Sequence, residues 1–215
     1  MKEWPDDIYT EPTEDPDTLA NLGPFAPMAG VWRGDDGVDV KPKADGPRNQ
    51  AYIEYLELQP IDAQTNGPQL LYGLRYHARI TKPGRKKTYH DQVGYWLWEP
   101  ATGRIYHTLT IPRGQAVLAG GFASADARKF TLRAERGDTA FGIVSNPFLQ
   151  EAFRTDAFEI TVTINDDGSW SYDETITLQI KGQDKPFMHT DRNRLVRVGP
   201  PAPNPNNAPD DASVR

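Results

Sequence analysis

Strict alternation of apolar and polar residues over long stretches is the feature that most limits how this chain can fold. Between residues 70 and 80, Leu, Tyr, Leu, Tyr, Ala and Ile occupy every second position. Side chains two residues apart point to the same face of a β-strand, so this period predicts strands with one buried face. The same period recurs at residues 93–97, 105–111, 158–164 and 170–180. The chain is therefore predicted to be an all-β protein.

The number of strands predicts a closed barrel. Asn165-Asp166-Asp167-Gly168 has the residues of a tight hairpin turn and joins two alternating stretches. Further strands are predicted at residues 50–58, 115–122, 129–134 and 187–198, which brings the total to about ten. A sheet this large closes on itself or splits into two packed sheets. We favour an antiparallel closed β-barrel, whose width leaves an internal, mostly apolar pocket.

One end of this barrel is predicted to be plugged by the Gly-Trp-Gly motif, residues 30–34. The indole of Trp32 fills space there, and the glycines let strands approach closely. Residues 19–28 carry apolar side chains at helical spacing that glycine and proline interrupt, which predicts short helical turns covering the barrel end. A short helix is also predicted at residues 147–153, with Asn146 as its cap.

Three regions of the chain are predicted. Residues 1–17 combine acids and prolines without periodicity and are expected to form a flexible N-terminal arm. Residues 18–198 are expected to form the β-barrel domain. Residues 199–215 are rich in proline and asparagine, which predicts a disordered C-terminal tail.

Composition argues against several classes of protein. The net charge of −6 disfavours binding to a nucleic-acid backbone. No apolar run approaches the roughly 18 residues of a membrane span, and the first residues lack the apolar core of a secretion signal. The absence of cysteine excludes disulfides and thiolate chemistry and fits the cytoplasm. The expected partner is a small molecule, and the oligomeric state stays open, a homodimer included.

The four histidines are the main candidates for chemistry. His77 alternates with arginines, which is typical of a solvated outer face. His107 lies between apolar residues, which favours a buried core position that could also line the pocket. His90 follows a basic turn, and His189 shares its face with an aspartate and an asparagine. No two of these histidines have the short spacing of a compact zinc site.

Two further patterns concern an acidic cluster and a pair of tryptophans. Asp39 belongs to an acidic cluster at residues 35–39 that is predicted to be a solvated turn. Trp96 and Trp98 share a face with His90, and packing on the outer wall or at a barrel end is favoured. The alternation does not say which face of this strand looks inward.

Four segments of the chain, taken in order, carry a family resemblance. They are Gly30-Val31-Trp32-Arg33-Gly34, His90-Asp91-Gln92-Val93-Gly94-Tyr95, Tyr106-His107-Thr108-Leu109-Thr110-Ile111-Pro112-Arg113-Gly114-Gln115 and His189-Thr190-Asp191-Arg192-Asn193-Arg194-Leu195-Val196-Arg197-Val198. The set covers residues 19–198 and resembles the nitrobindin family of small all-β haem proteins.

The resemblance implies a fold, a cofactor and a reaction. The fold would be a barrel like that of lipocalins and fatty-acid-binding proteins, and the cofactor a ferric haem b. The chemistry would be that of nitric oxide and peroxynitrite, with isomerisation of peroxynitrite to nitrate. His189 corresponds to the proximal iron ligand, and His90 to a histidine on the open, distal side. We add Trp32, Gly34 and His107 as candidate cofactor-binding residues.

Two departures from the family pattern leave other functions open. Asp35-Asp36 separates Gly34 from Gly37 and so adds one residue directly after the first segment, and Leu195 lies one place further from His189 than the family pattern predicts. A one-residue slip without a bulge turns a side chain from the cavity to the solvent. The alternatives are a haem-free carrier of a fatty acid or other small hydrophobic ligand, and a haem-free enzyme with His107 or His90 as general base.

Overall fold

The computed structural model describes residues 4–204, which fold into eleven β-strands and two short helices. The strands are β1 (Gly30–Lys41), β2 (Arg48–Asn66), β3 (Gln69–Thr81), β4 (Thr88–Glu99), β5 (Arg104–Ile111), β6 (Gln115–Phe122), β7 (Lys129–Glu135), β8 (Ile143–Ser145), β9 (Phe153–Ile164), β10 (Trp170–Ile180) and β11 (Phe187–Gly199). The helices are a 3-10 helix, Gly23–Met28, and α1, Pro147–Ala152.

The strands form one antiparallel sheet that closes into a barrel. Neighbouring strands follow the order β5-β4-β3-β2-β1-β11-β10-β9-β7-β6, and β5 pairs with β6 to complete the ring. β8 is an extra strand attached to the outer end of β6. The predicted all-β fold, a closed antiparallel barrel of about ten strands, is confirmed.

One join of the barrel is much shorter than the others. β6 and β7 share a single residue pair, Gly120 opposite Arg133. On its other side, β7 pairs with β9 along its whole length, from Lys129 to Glu135. We call the short join the β6–β7 seam.

A bulge in β1 decides which of its residues face inward. Gly34 lies opposite Glu54 of β2 and Gly37 lies opposite Tyr52, so three steps along β1 match two along β2. The extra residue comes from the two-aspartate insertion, and it resets the alternation of faces. Because of that reset, Asp39 lies on the inner face and is only 5% exposed. The prediction that Asp39 belongs to a solvated turn is therefore wrong.

β11 is regular through the segment that holds His189. Its residues from Phe187 to Leu195 pair one for one with β10. Because alternate residues share a face, His189, Asp191, Asn193 and Leu195 all point inward. The one-place departure of Leu195 from the family pattern is thus accommodated without a bulge against β10.

Aromatic side chains fill the closed end of the barrel beneath the 3-10 helix. Trp32 is fully buried, its Nε1 donates to the Met28 carbonyl at 2.7 Å, and its ring meets Trp170 edge-on with centroids 6.1 Å apart. Phe25 of the 3-10 helix is also fully buried and meets Trp96 edge-on at 5.7 Å. The predicted cover of short helical turns over one barrel end is confirmed.

Three strands differ from their predictions. β2 extends to Asn66, beyond the predicted 50–58, because a proline and several polar residues interrupt its alternation although it still pairs with β3. No strand is predicted at β8, because its three residues are too few to show an alternation of apolar and polar side chains. In β4, Trp96 and Trp98 are buried on the inner face, whereas Tyr95 is exposed, so packing of the tryptophans on the outer wall is wrong.

Two short elements match their predictions closely. α1 begins at Pro147, and the Asn146 side chain accepts a hydrogen bond from the Leu149 amide at 3.0 Å, as an N-cap does. The hairpin between β9 and β10 turns at Gly168, whose φ of 80° lies in the region that favours glycine.

The predicted division into an arm (1–17), a barrel domain (18–198) and a tail (199–215) stays a prediction. Residues 1–3 of the arm and 205–215 of the tail lie outside the described residues. Neither helix within residues 4–204 has the length and apolar character that a membrane span requires.

We expect Trp32→Ala to lower the free energy of unfolding by about 3–5 kcal/mol, because it leaves a cavity at the closed end. Urea denaturation followed by far-ultraviolet circular dichroism measures the change. The matched control is Phe148→Ala, since Phe148 is 65% exposed and its loss should change stability by no more than about 0.5 kcal/mol. Equal losses in the two variants would contradict the role of Trp32 as the plug.

Candidate functional site

The barrel encloses a cavity of about 470 Å³ that opens between the hairpins at one end. This volume lies within the range of small-molecule sites. Most of its wall is aliphatic or aromatic. The apolar lining residues are Leu56, Ala78, Ile80, Trp96, Leu109, Ile111, Val117, Leu149, Phe153, Phe158, Ile160, Trp170, Ile176 and Leu178.

Positive side chains surround the mouth of the cavity. Lys43 lies in the β1–β2 loop, Lys82 in the β3–β4 loop and Arg113 in the β5–β6 turn, and Lys41 ends β1. All four line the cavity, and these loops meet at the same end because alternate hairpins of an antiparallel barrel do so. We call this group the basic rim. It would attract anionic groups of a ligand to the mouth.

His189 and Asp39 form a hydrogen-bonded pair in the cavity wall. The His189 Nε2 lies 2.7 Å from the Asp39 Oδ1. Burial opposes ionisation of Asp39, but hydrogen bonds from His189 and Tyr89 outweigh it and hold its pKa below the usual value. An ionised carboxylate only accepts, so the His189 Nε2 is the donor in this contact. Nδ1 makes no hydrogen bond to any described residue.

A tyrosine and a lysine support the same aspartate from the mouth. The Tyr89 hydroxyl donates to the Asp39 Oδ2 at 2.7 Å, and the Lys41 Nζ donates to the Tyr89 hydroxyl at 2.8 Å. Lys82 lies 4.8 Å from the centre of the Tyr89 ring. The carboxylate is thus held at both oxygens.

A second polar chain runs deeper into the wall. Tyr52 donates to the Asp191 Oδ1, its hydroxyl lies 2.7 Å from that of Tyr172, and Tyr172 donates to the Glu54 Oε2 at 3.0 Å. The Asn193 Nδ2 donates to the same Glu54 oxygen at 2.9 Å. Burial raises the pKa of Glu54 to about 7 and that of Asp191 to about 6.

Two glycines of β1 make room for this second chain. A Cβ at Gly34 would lie 2.3 Å from the Asn193 Nδ2, and one at Gly37 would lie 2.2 Å from the Tyr52 ring. Contacts this short do not occur, so any side chain at either position would displace its neighbour. Gly34 and Gly37 therefore leave the space that the side chains of Asn193 and Tyr52 occupy.

Glu174 is the one carboxyl of the cavity wall, among the described residues, that has no hydrogen bond. It lies opposite Asp191 on the paired strand. Burial, and then the neighbouring carboxyls, raise the pKa of Glu174 well above the usual value. The protonated form of Glu174 is therefore more favoured than that of an ordinary exposed glutamate.

A third polar chain crosses β3, β4 and β5. The His90 Nε2 lies 3.2 Å from the Gln92 Oε1, the Gln92 Nε2 donates to the Tyr76 hydroxyl at 2.7 Å, and that hydroxyl lies 3.0 Å from the His107 Nε2. His107 stacks on Trp96 with 3.8 Å between ring centres, and its Nδ1 has no partner. Burial lowers the pKa of His107 to about 3 and also lowers that of His90. Both imidazoles are therefore neutral.

The structure brings three of the five candidate residues to one cavity. His189, His90 and His107 all line it. Trp32 lies instead in the closed end, and Gly34 packs against Asn193 rather than lining the cavity. Within residues 4–204, no three histidine or acidic side chains converge to hold a bare metal ion.

Sequence reasoning does not find most of the polar wall. Tyr172 and Glu174 occupy inward positions of β10 between Trp170 and Ile176. A polar residue in such a place interrupts an apolar face, which is a usable signal for a ligand cavity. Glu54 likewise interrupts the apolar inward face of β2, between Tyr52 and Leu56.

Comparison with known proteins places the chain in one family. The family model described as "THAP4-like, heme-binding beta-barrel domain" matches residues 21–197. No curated protein sequence matches the chain. Among solved structures, the chain is similar to the crystal structure of Rv2717c from M. tuberculosis. The TM-score is 0.57 and the identity 21%, over 84% of this chain and 97% of that one. At that identity the likeness shows the fold alone.

We expect Glu54 to make the protein less stable as the pH rises. Its pKa of about 7 in the folded state exceeds the usual 4.5, so the folded state binds the proton more tightly and that advantage is lost as the pH rises through 7. Glu54→Gln keeps the shape without titrating. Between about pH 5 and pH 8 the wild type should lose about 2 kcal/mol relative to this variant.

Urea denaturation at the two pH values measures this difference. Glu57→Gln is the matched control, because Glu57 lies on the same strand but on the outer face, 3.5 Å from Arg79, with 40% of its side chain exposed. Its stability should keep the wild-type dependence on pH. Parallel pH profiles for wild type and Glu54→Gln would contradict the prediction.

Proposed function

The chain belongs to the THAP4-like, heme-binding beta-barrel domain family, and on that premise we propose that its cavity binds haem with His189 as the iron ligand. The observation that carries the proposal is the position of His189 in the wall of a largely apolar cavity whose mouth carries four cations. Its Nε2 lies 2.7 Å from the Asp39 Oδ1, so the imidazole is oriented by a neighbouring carboxyl group. Imidazole is a common ligand of haem iron.

The rest of the cavity supports this cofactor. Its aliphatic and aromatic wall suits the apolar face of a porphyrin, and the basic rim suits the propionates at the mouth. Burial raises the pKa of Glu54 to about 7 and that of Glu174 well above its usual value, which reduces the negative charge that these carboxyls would place beside the ring. The chain has no cysteine for a thioether link, which favours a non-covalent haem b.

A bound haem would supply the ligand-binding and redox chemistry of iron, and we assign nitric oxide and peroxynitrite as its reactants. Isomerisation of peroxynitrite to nitrate moves one oxygen atom and needs no further reactant. The chain contributes the proximal nitrogen of His189 and a wall that excludes water. The neutral imidazole of His90, on β4, lines the same cavity and is assigned to the distal side. A cytoplasmic location and a homodimer belong to the same proposal.

The basic rim also favours a second function, a haem-free carrier of a fatty acid. Four cations above an apolar wall match a carboxylate on an apolar chain. Such a carrier would release a lipid on solvent extraction and would show no Soret band. A haem-free enzyme is disfavoured, since His107, with a pKa of about 3, is too weak a base at neutral pH.

We expect hemin to bind the full chain with a sharp Soret band that saturates at one equivalent. His189→Ala should weaken binding by at least about tenfold and change the band, because the iron loses its ligand. The matched control is His77→Ala, since His77 lies on the outer wall, 3.1 Å from Asp91. Absorbance titration measures both. An unchanged spectrum in His189→Ala would show that the ligand is assigned wrongly.

A further inference from the structure

We propose that the open end of the barrel docks on a lipid bilayer that carries anionic headgroups, with Phe148 entering the boundary between headgroups and acyl chains. The inference goes beyond the proposed function and does not depend on which ligand the cavity holds. It rests on the distribution of charge between the two ends of the barrel and on an exposed pair of aromatic rings.

The segments that connect the strands at the open end are strongly basic. These five segments are residues 42–47, 82–87, 112–114, 146–152 and 181–186. Together they contain eight lysines and arginines and three acids, whereas the whole chain has 24 lysines and arginines and 30 acids. Positive charge is therefore concentrated at this end of an acidic protein. We call the five segments the basic end.

The closed end of the barrel has the opposite charge. Its connecting segments contain one arginine and three aspartates, within residues 67–68, 100–103, 123–128 and 165–169. Residues 4–17 add six acids and no cation, and they are held at this end because the Asp15 amide donates to the Tyr72 hydroxyl at 2.9 Å. An anionic surface attracts the basic end and repels the acidic one, which orients the molecule before contact.

Most cations of the basic end are available to an external partner. Lys181 is paired with Glu151. Six other side chains are exposed and form no hydrogen bond or ion pair within residues 4–204, namely those of Lys43, Arg85, Lys86, Lys87, Arg113 and Lys185. Because nothing inside the described part of the chain neutralises them, they can meet the phosphates and carboxylates of lipid headgroups.

An exposed aromatic pair lies among these cations. Phe148, in α1, is 65% exposed, and its ring centre lies 6.3 Å from that of Phe153, which is 41% exposed. Removing aromatic rings from water at the headgroup boundary is favourable, and it adds to the attraction between cations and anionic lipids.

Backbone hydrogen bonds hold α1 between two basic segments. The Asn146 amide donates to the Gly114 carbonyl at 2.9 Å, which joins α1 to the turn that carries Arg113. The Lys181 amide donates to the Ala152 carbonyl at 3.1 Å, which joins α1 to residues 181–186. The aromatic pair is therefore flanked by cations on two sides.

A bilayer matches this combination better than a nucleic acid does. Proteins that lie on membranes combine cations with an apolar side chain that enters the lipid, whereas attraction to a phosphate backbone needs no apolar group. The cavity mouth lies within the basic end, since Lys43, Lys82 and Arg113 all line it. Docking in this orientation turns the mouth of an apolar cavity toward the lipid.

The experiment measures sedimentation of the full chain with phosphatidylcholine vesicles that contain either no phosphatidylserine or about 30% of it. We expect binding to the anionic vesicles alone and release in about 0.5 M salt. The triple variant R85Q/K86Q/K87Q should lower the partition coefficient at least about tenfold. The matched control R75Q/K129Q/R192Q removes the same charge from exposed positions outside the basic end, and it should stay within about twofold of wild type.

Phe148→Trp reports the orientation of the docked protein. We expect the fluorescence that this variant adds to be quenched by lipids with brominated acyl chains, because position 148 enters the bilayer. The matched control is Phe122→Trp, since Phe122 is also 65% exposed but ends β6 beside the closed end, and its added fluorescence should not be quenched. Phe148→Ala should weaken binding about three- to tenfold.

Three results would overturn the inference. The first is that wild-type protein does not bind anionic vesicles. The second is that both triple variants bind equally well, or that quenching is equal at positions 148 and 122. The third is retention by duplex DNA or polyglutamate without binding to vesicles, which would assign the basic end to a different anionic partner. The protein is used without added hemin, so these outcomes are independent of the haem proposal.

Discussion

The alternation of faces along β1, reset by one extra residue, is the constraint on which the site depends. Before the bulge, Trp32 points inward and closes the barrel; after it, Asp39 and Lys41 line the cavity. In a regular strand Asp39 would face solvent, and His189, held on a regular β11, would lose its hydrogen bond to that carboxyl group. The one extra residue in β1 thus lets the same strand place Trp32 inward at the closed end and Asp39 and Lys41 in the cavity at the open end.

The cavity combines an apolar wall with many polar side chains because these groups satisfy one another. Two hydrogen bonds hold the pKa of Asp39 below its usual value, whereas burial raises the pKa of Glu54 to about 7 and that of Glu174 well above its usual value. His90 and His107 are neutral for the same reason. Burial therefore reduces the negative charge of the wall, and the positive charge lies at the mouth. Such a distribution suits a ligand with an apolar body and anionic groups at one end.

The sequence predicts the strands, through their alternation, and the turns, through their residue types. It predicts little about which residues of neighbouring strands lie opposite each other. The alternation identifies the strands, places β6 at residues 115–122 as observed, and groups Tyr76 with the inward face of β3. It leaves open which face of β4 looks inward, since both carry aromatic residues, and so it does not decide between the outer wall and the barrel end for Trp96, which contacts Phe25 at the closed end. The bulge at the two aspartates is visible as an extra residue, but its effect on Asp39 needs the partner strands. Contacts between distant strands, such as Tyr52 with Tyr172, follow from closure of the barrel and leave no local signal.

The β6–β7 seam has a mechanical consequence for the barrel. Every other join in the ring is a ladder of at least six residue pairs, whereas this one has a single pair. The hydrogen-bonded ring of strands is therefore least continuous between β6 and β7. The resistance of the barrel to widening is limited by this join. A ligand that pushes the wall outward would therefore strain the β6–β7 seam more than the other joins. A widening of the barrel would therefore be expected to begin between β6 and β7, where β8 adds three pairs to the edge of β6, and the longer ladders beside His189 and Asp39 would be the last to part.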